Sequence, residues 1–158
     1  MPQEGEKAPL QKCKERAMRI LSARAFGERE LYERLVEKGE AEADAAETVA
    51  WLAELHVLDD AEYAAMLVRH YGAKGCGPRR IREELRRRKL PPELWDEALE
   101  QLPEQDGALD RLLRARLRGK DPAEDPAAVK KATAALLRRG FGWEEIKAAL
   151  ERYPAEEE

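Results

Sequence analysis

Phe26-Gly27-Glu28-Arg29-Glu30-Leu31-Tyr32-Glu33-Arg34-Leu35 sets a pattern that the rest of the chain repeats. Leu31 follows the glycine by four residues and Leu35 by eight. That spacing puts both leucines on one face of a helix that opens at Gly27. It returns as Gly77–Ile81–Leu85 and as Gly142–Ile146–Leu150. The surroundings return as well: Arg24, Lys74 or Arg139 three positions before the glycine, Leu21, Tyr71 or Leu136 six before it, and Phe26, Cys76 or Phe141 directly before it. Helical units this small cannot bury a core alone and must stack end to end. Repeat architectures of this kind usually bind something rather than catalyse.

Reading outward from these stretches predicts helices over about Leu10–Arg24, Glu28–Lys38, Asp44–His56 and Asp60–Ala73. Further helices are predicted over Pro78–Lys89, a short segment around Trp95, Asp106–Arg118, a segment ending at Arg139, and Trp143 to about Arg152. Gly39 and Gly140 read as helix stops, Pro78 as a first-turn residue, and Asp59 or Asp60 as an N-cap. Val, Ile and Thr number only ten in 158 residues, so no sheet is expected. The expected fold is all-α, with three tandem three-helix repeats (10–56, 60–102 and 106–153) forming an elongated, curved array. A disordered tail, 1–9, and an acidic tail, 154–158, flank it. The repeat is imperfect: the glycine-led helix is the middle one in the first two sets and the last in the third. The glycine spacing accordingly grows from 50 residues (Gly27 to Gly77) to 65 (Gly77 to Gly142), a stretch that the extra helix 106–118 accounts for.

No apolar run is long enough to span a membrane, and the first residues lack the apolar core of a signal peptide. Two cysteines without a CxxC pair, Cys13 and Cys76, are expected to be reduced thiols in a cytoplasmic chain. An enzyme would need a poised acid, base, nucleophile or metal cluster. His56 and His70 are the only histidines and fall on different helices; paired metal-ligand spacings, a glycine-rich phosphate loop and a nucleophile motif around Ser22 are all missing. The chain is expected to be neither an enzyme nor a metal or cofactor binder.

Charge is distributed unevenly. Between Glu28 and Glu62, twelve acidic residues stand against Arg29, Arg34 and Lys38; between Arg69 and Lys89, nine basic residues stand against Glu83 and Glu84. On the Pro78–Lys89 helix, Ile81 and Leu85 point inward, and Arg79, Arg82, Arg86 and Lys89 share one outward stripe. Arg80, Arg87 and Arg88 have carboxylates four residues away. Arg82 has none at three or four positions and Arg86 only Glu83, so those two carry the uncompensated charge. Helix 106–118 repeats the design with Arg111, Arg114 and Arg118; Arg116 falls on its apolar side and is expected to snorkel. Such stripes are the electrostatic footprint of polyanion binders, with phosphate contacts tolerant of sequence. Tyr63, Tyr71 and Trp95 fit apolar helical patterns and read as core.

The same residues carry a family likeness. Leu21-Ser22-Ala23-Arg24 with Glu30-Leu31 and Lys38-Gly39 resembles the first repeat of the RecX family of recombination regulators. Val57-Leu58-Asp59-Asp60 followed by Tyr63-Ala64 resembles that family's most characteristic stretch. Gly75-Cys76-Gly77 with Ile81 and Glu84-Leu85 is similar to its second repeat, and Arg138-Arg139-Gly140-Phe141 with Ile146 and Leu150 to its third. The likeness covers residues 10–152. It implies tandem three-helix repeats that lie in the groove of the RecA–DNA filament and restrain ATP hydrolysis, strand exchange and coprotease activity. It implies the RecA filament as partner; the arginine stripes add expected phosphate contacts to single- and double-stranded DNA, and a monomer with no cofactor and no membrane contact is expected. The competing reading is a stand-alone helical DNA-binding regulator that uses its arginine stripe on phosphates.

Overall fold

A computed structural model describes residues 8–102 and 105–153, so the expected tails lie outside it except for Ala8 and Pro9, which open the first helix. Among the described residues the protein is all-α, with nine helices and no strand. They are α1 (Pro9–Ala23), α2 (Glu28–Glu37), α3 (Glu42–Glu54), α4 (Asp60–Ala73), α5 (Pro78–Arg87), α6 (Trp95–Leu99), α7 (Gln105–Leu117), α8 (Pro126–Arg138) and α9 (Trp143–Arg152), with a single 3₁₀ turn at Pro92–Leu94 before α6.

Several helices stop one or two residues before the expected end, and the cause is local. At the end of α2 the Glu40 N–H donates to the Leu35 carbonyl, at α3 Val57 to Leu52, at α5 Leu90 to Leu85, and at α8 Phe141 to Leu136. Each bond closes a turn whose preceding residue is left-handed: Gly39, His56, Lys89 and Gly140, with φ of 101°, 59°, 57° and 98°. A non-glycine residue in that conformation costs about 1 kcal/mol.

Packing divides the chain into two compact units. The first holds the chain up to Ala64 together with Leu85–Trp95, and the second holds Ala65–Glu84 and the chain from Asp96 on. The division falls inside α4 and α5, so the middle set of helices belongs in part to each unit.

In the first unit α1, α2 and α3 pack around Cys13, Ala17, Leu31, Leu35, Ala45 and Leu52, all fully buried. Leu55 and Met18 are apolar but exposed. Leu55 falls just past the last turn of α3, and Met18 sits about 100° or more round α1 from Cys13 and Ala17. The adjacent aspartates divide two tasks. Asp59 Oδ1 accepts from the Glu62 N–H at 3.1 Å and caps α4, whereas Asp60 Oδ1 accepts from the Glu28 N–H at 2.9 Å and caps α2. Gly27 lies beside the end of α5: a Cβ there would stand 3.1 Å from Leu90 Cδ2 and 3.2 Å from Asp60 Oδ1.

In the second unit α7 packs on α8 and α9 around Leu109, Leu113, Leu117, Leu136, Phe141 and Ile146. Asp125 caps α8 through the Ala128 N–H, and Glu145 turns back to accept from the Gly142 N–H that opens α9. The start of α5 abuts the end of α8 backbone to backbone. The Gly77 N–H donates to the Arg139 carbonyl at 2.6 Å and the Arg79 N–H to the Gly140 carbonyl at 3.1 Å. A Cβ on Gly77 would stand 2.5 Å from the Gly140 carbonyl oxygen, and one on Gly140 2.4 Å from the Arg80 nitrogen. Only glycine admits that approach.

Candidate binding surface

The surface that the charge pattern singles out is built on α5. Ile81 and Leu85 are fully buried, as their spacing requires, and Arg79, Arg82 and Arg86 are exposed on the opposite side. Two expectations about this stripe are corrected. Arg82 is not without an acid: its guanidinium reaches Asp96 Oδ1 at 3.3 Å, fourteen residues away and invisible to a rule based on helix spacing. The Asp96 carboxylate is 91% exposed, so the pair is worth about 0–1 kcal/mol and yields readily to a competing anion. Lys89 does not continue the stripe, because α5 ends at Arg87 and Lys89 takes the left-handed position beyond it. From there its ammonium pairs with Glu33 of α2. That contact, chiefly its hydrogen bond, holds the Glu33 carboxyl below the usual range.

Arg86 lies over the Trp95 ring, 5.5 Å from its centroid. At that distance the guanidinium is attracted by the indole ring while Arg86 remains exposed. Trp95 itself is buried and donates its indole N–H to the Leu90 carbonyl, and Tyr63 is buried with its hydroxyl accepting from Arg88. Burial, outweighing the nearby Arg88, raises the Tyr63 phenol above its ordinary range. Both aromatics are core, as their spacing suggests; Tyr71 is half-buried, edge-on to His70.

On α7, Arg111 and Arg114 are exposed on the side away from Leu109, Leu113 and Leu117. Arg118 is also exposed, but it lies past the end of the helix with φ of 48°, so the helical wheel does not place it with the other two. Arg116 is exposed as well. The seven cations therefore sit as two helix faces with Lys89 and Arg118 set apart at helix ends.

The remaining reactive side chains have structural surroundings. Cys13 is buried, accepts a hydrogen bond from Thr48 Oγ1 at 3.3 Å, and has its thiol pushed up chiefly by burial. Cys76 is a free thiol, half-buried where the corresponding Phe26 and Phe141 are buried. His56 occupies a helix-end turn. Among the described residues no group of three or more His, Cys, Asp and Glu side chains is placed to hold a metal ion, and no helix is long and apolar enough to cross a membrane. Trp143, which the sequence pattern marks only as the start of a helix, is half exposed.

Three successive sets of three helices, the outward faces of two of them studded with arginine, define a tandem three-helix-domain protein. Residues 13–52, 59–99 and 104–150 match, in that order, the first, second and third three-helix domains of RecX. The chain is 34% identical over 143 residues to the regulatory protein RecX of Vibrio campbellii, covering 90% of this chain and 92% of that one. It is 33% identical to the regulatory protein RecX of Halorhodospira halophila, covering 90% and 88%. The crystal structure of RecX from Lactobacillus salivarius shares the fold, with a TM-score of 0.81 over 91% of this chain and 96% of that chain at 20% identity. The chain belongs to the RecX family.

Proposed function

We propose that this protein is a negative modulator of the RecA recombinase that works by binding the RecA–DNA filament, not by catalysis. Membership of a family whose curated relatives are regulatory proteins carries this reading. The arginine faces support it: Arg79, Arg82 and Arg86 on α5 and Arg111 and Arg114 on α7 are exposed cations suited to DNA phosphates or to acidic side chains of a protein filament. Lys89 and Arg118 contribute from helix ends. In this reading the protein acts in the cytoplasm as a monomer, without a cofactor, and restrains ATP hydrolysis, strand exchange and coprotease activity together because all three depend on one filament.

The test is a titration of RecA ATPase activity on single-stranded DNA. Substoichiometric addition should inhibit it, and an unchanged rate at every ratio with folded protein would reject the proposal. Arg82→Glu with Arg86→Glu should weaken inhibition while helicity by circular dichroism stays the same; undiminished inhibition would restrict the role of α5 to solvation.

A further inference from the structure

Of the large apolar side chains that the described residues leave exposed, Trp143 is the only aromatic one. An exposed apolar side chain is ordinary in itself; what distinguishes Trp143 is its company. It is the first residue of α9 and follows Gly142 directly. Arg79 Nη2 lies 3.9 Å from where a Cβ on Gly142 would stand, and the Arg79 N–H bond to the Gly140 carbonyl fixes the start of α5 against this turn. Arg80 belongs to the same contact through its backbone nitrogen. Arg138 is exposed at the end of α8, and Lys147 is exposed one turn along α9 on the Trp143 side. Of the nearby acids, Glu84 is turned into the core and Glu145 is engaged by the Gly142 N–H, which leaves Glu83 and Glu144 as the open carboxylates.

We infer that Trp143 is a stacking contact for a base of single-stranded DNA whose phosphates are held by Arg79, Arg80 and Lys147. An exposed indole, with Arg79 beside the turn before it and Lys147 one helical turn on, offers partners for both things that a strand presents, planar faces and regularly spaced negative charge. Every base has a face to stack, so such a contact tolerates any sequence. A duplex keeps its bases stacked on one another and cannot use the indole in this way, so the surface discriminates for single strands. The inference rests on the proposed function, whose DNA contact it assigns to a particular side chain.

Fluorescence anisotropy of a labelled oligothymidylate, titrated with the full chain in the absence of RecA, tests it. Trp143→Ala should weaken binding about 5- to 150-fold, the range that loss of one base–aromatic stack gives, and Trp143→Phe should recover most of the loss. An abasic strand of equal length should bind the wild-type and Trp143→Ala proteins alike, because only phosphates remain to be recognised. Thermal melting of both variants should match the wild type, since the side chain is half exposed. Equal oligothymidylate binding by Trp143→Ala and wild type would overturn the assignment, as would the absence of single-strand binding by the wild type. If Trp143→Ala binds the strand normally but no longer inhibits RecA, Trp143 is a protein contact; the inference fails and the proposed function stands.

Discussion

The start of α2 and the start of α5 each meet the end of a helix from the following set, and the two joints are held by different chemistry. At the first, in one compact unit, side chains do the joining: the Asp60 carboxylate caps α2, Lys89 pairs with Glu33, and Arg88 donates to the Tyr63 hydroxyl. At the second, in the other unit, the backbone joins directly, with Gly77 and Arg79 amides on the Arg139 and Gly140 carbonyls. Lys89 and Gly140 hold the same left-handed position in the two helix ends. The glycine repeat thus encodes where a helix starts against its neighbour, while the residues opposite decide whether size or charge governs the contact.

The largest expected effect is at the second joint. Gly140→Ala would place a methyl 2.4 Å from a backbone nitrogen at a φ of 98°, and overpacking plus the left-handed penalty predicts a loss of about 3 kcal/mol in denaturant unfolding. Gly27→Ala, whose two nearest neighbours are side-chain tips and whose nearest backbone atom is at 3.7 Å, should cost no more than about 1 kcal/mol; equal losses at the two sites would erase the distinction between size-governed and charge-governed joints.

Next comes Asp60→Ala, expected to cost about 1 kcal/mol as a lost helix cap, with Asp60→Asn retaining most of it. The same variants probe Glu28, whose carboxyl is raised first by burial and then by the Asp60 charge. Asp60→Asn should lower the Glu28 value in a carboxyl NMR titration. Because a raised carboxyl favours the protonated form in the folded state, Glu28 strains the fold at neutral pH and the strain eases as pH falls through its folded value. The smallest effect belongs to Lys89 and Glu33. Glu33 is lowered by Lys89, so the stability it adds is present above the ordinary glutamate range and disappears as pH falls through the lower folded value. Lys89→Met should raise the Glu33 titration, with Arg29 still holding part of the shift; an unmoved titration would mean the Lys89 pair does not persist in solution.

Most of the fold was legible because helix faces and helix stops are local properties: Leu31, Leu35, Ile81, Leu85 and Ile146 are all buried as their four-residue spacing demands. Errors gathered at helix ends, where a left-handed His56, Lys89 or Arg118 looks like one more helical residue in sequence. The arginine stripe was legible as a face of α5 but not in its partners, since Asp96 and Glu33 reach Arg82 and Lys89 from other segments. Trp143 was passed over because a half-exposed first-turn residue has the same spacing signature as a buried one.

Asp60 links residues 32 apart, and Leu90 approaches Gly27 from farther still. A chain cut just before Asp59 would keep all of α1, α2 and α3, yet the first amide of α2 would have lost its acceptor and Gly27 its apolar neighbour. The opening set of helices therefore draws a helix cap and an apolar neighbour from the segments that follow it, and its boundary in sequence is not a boundary in packing.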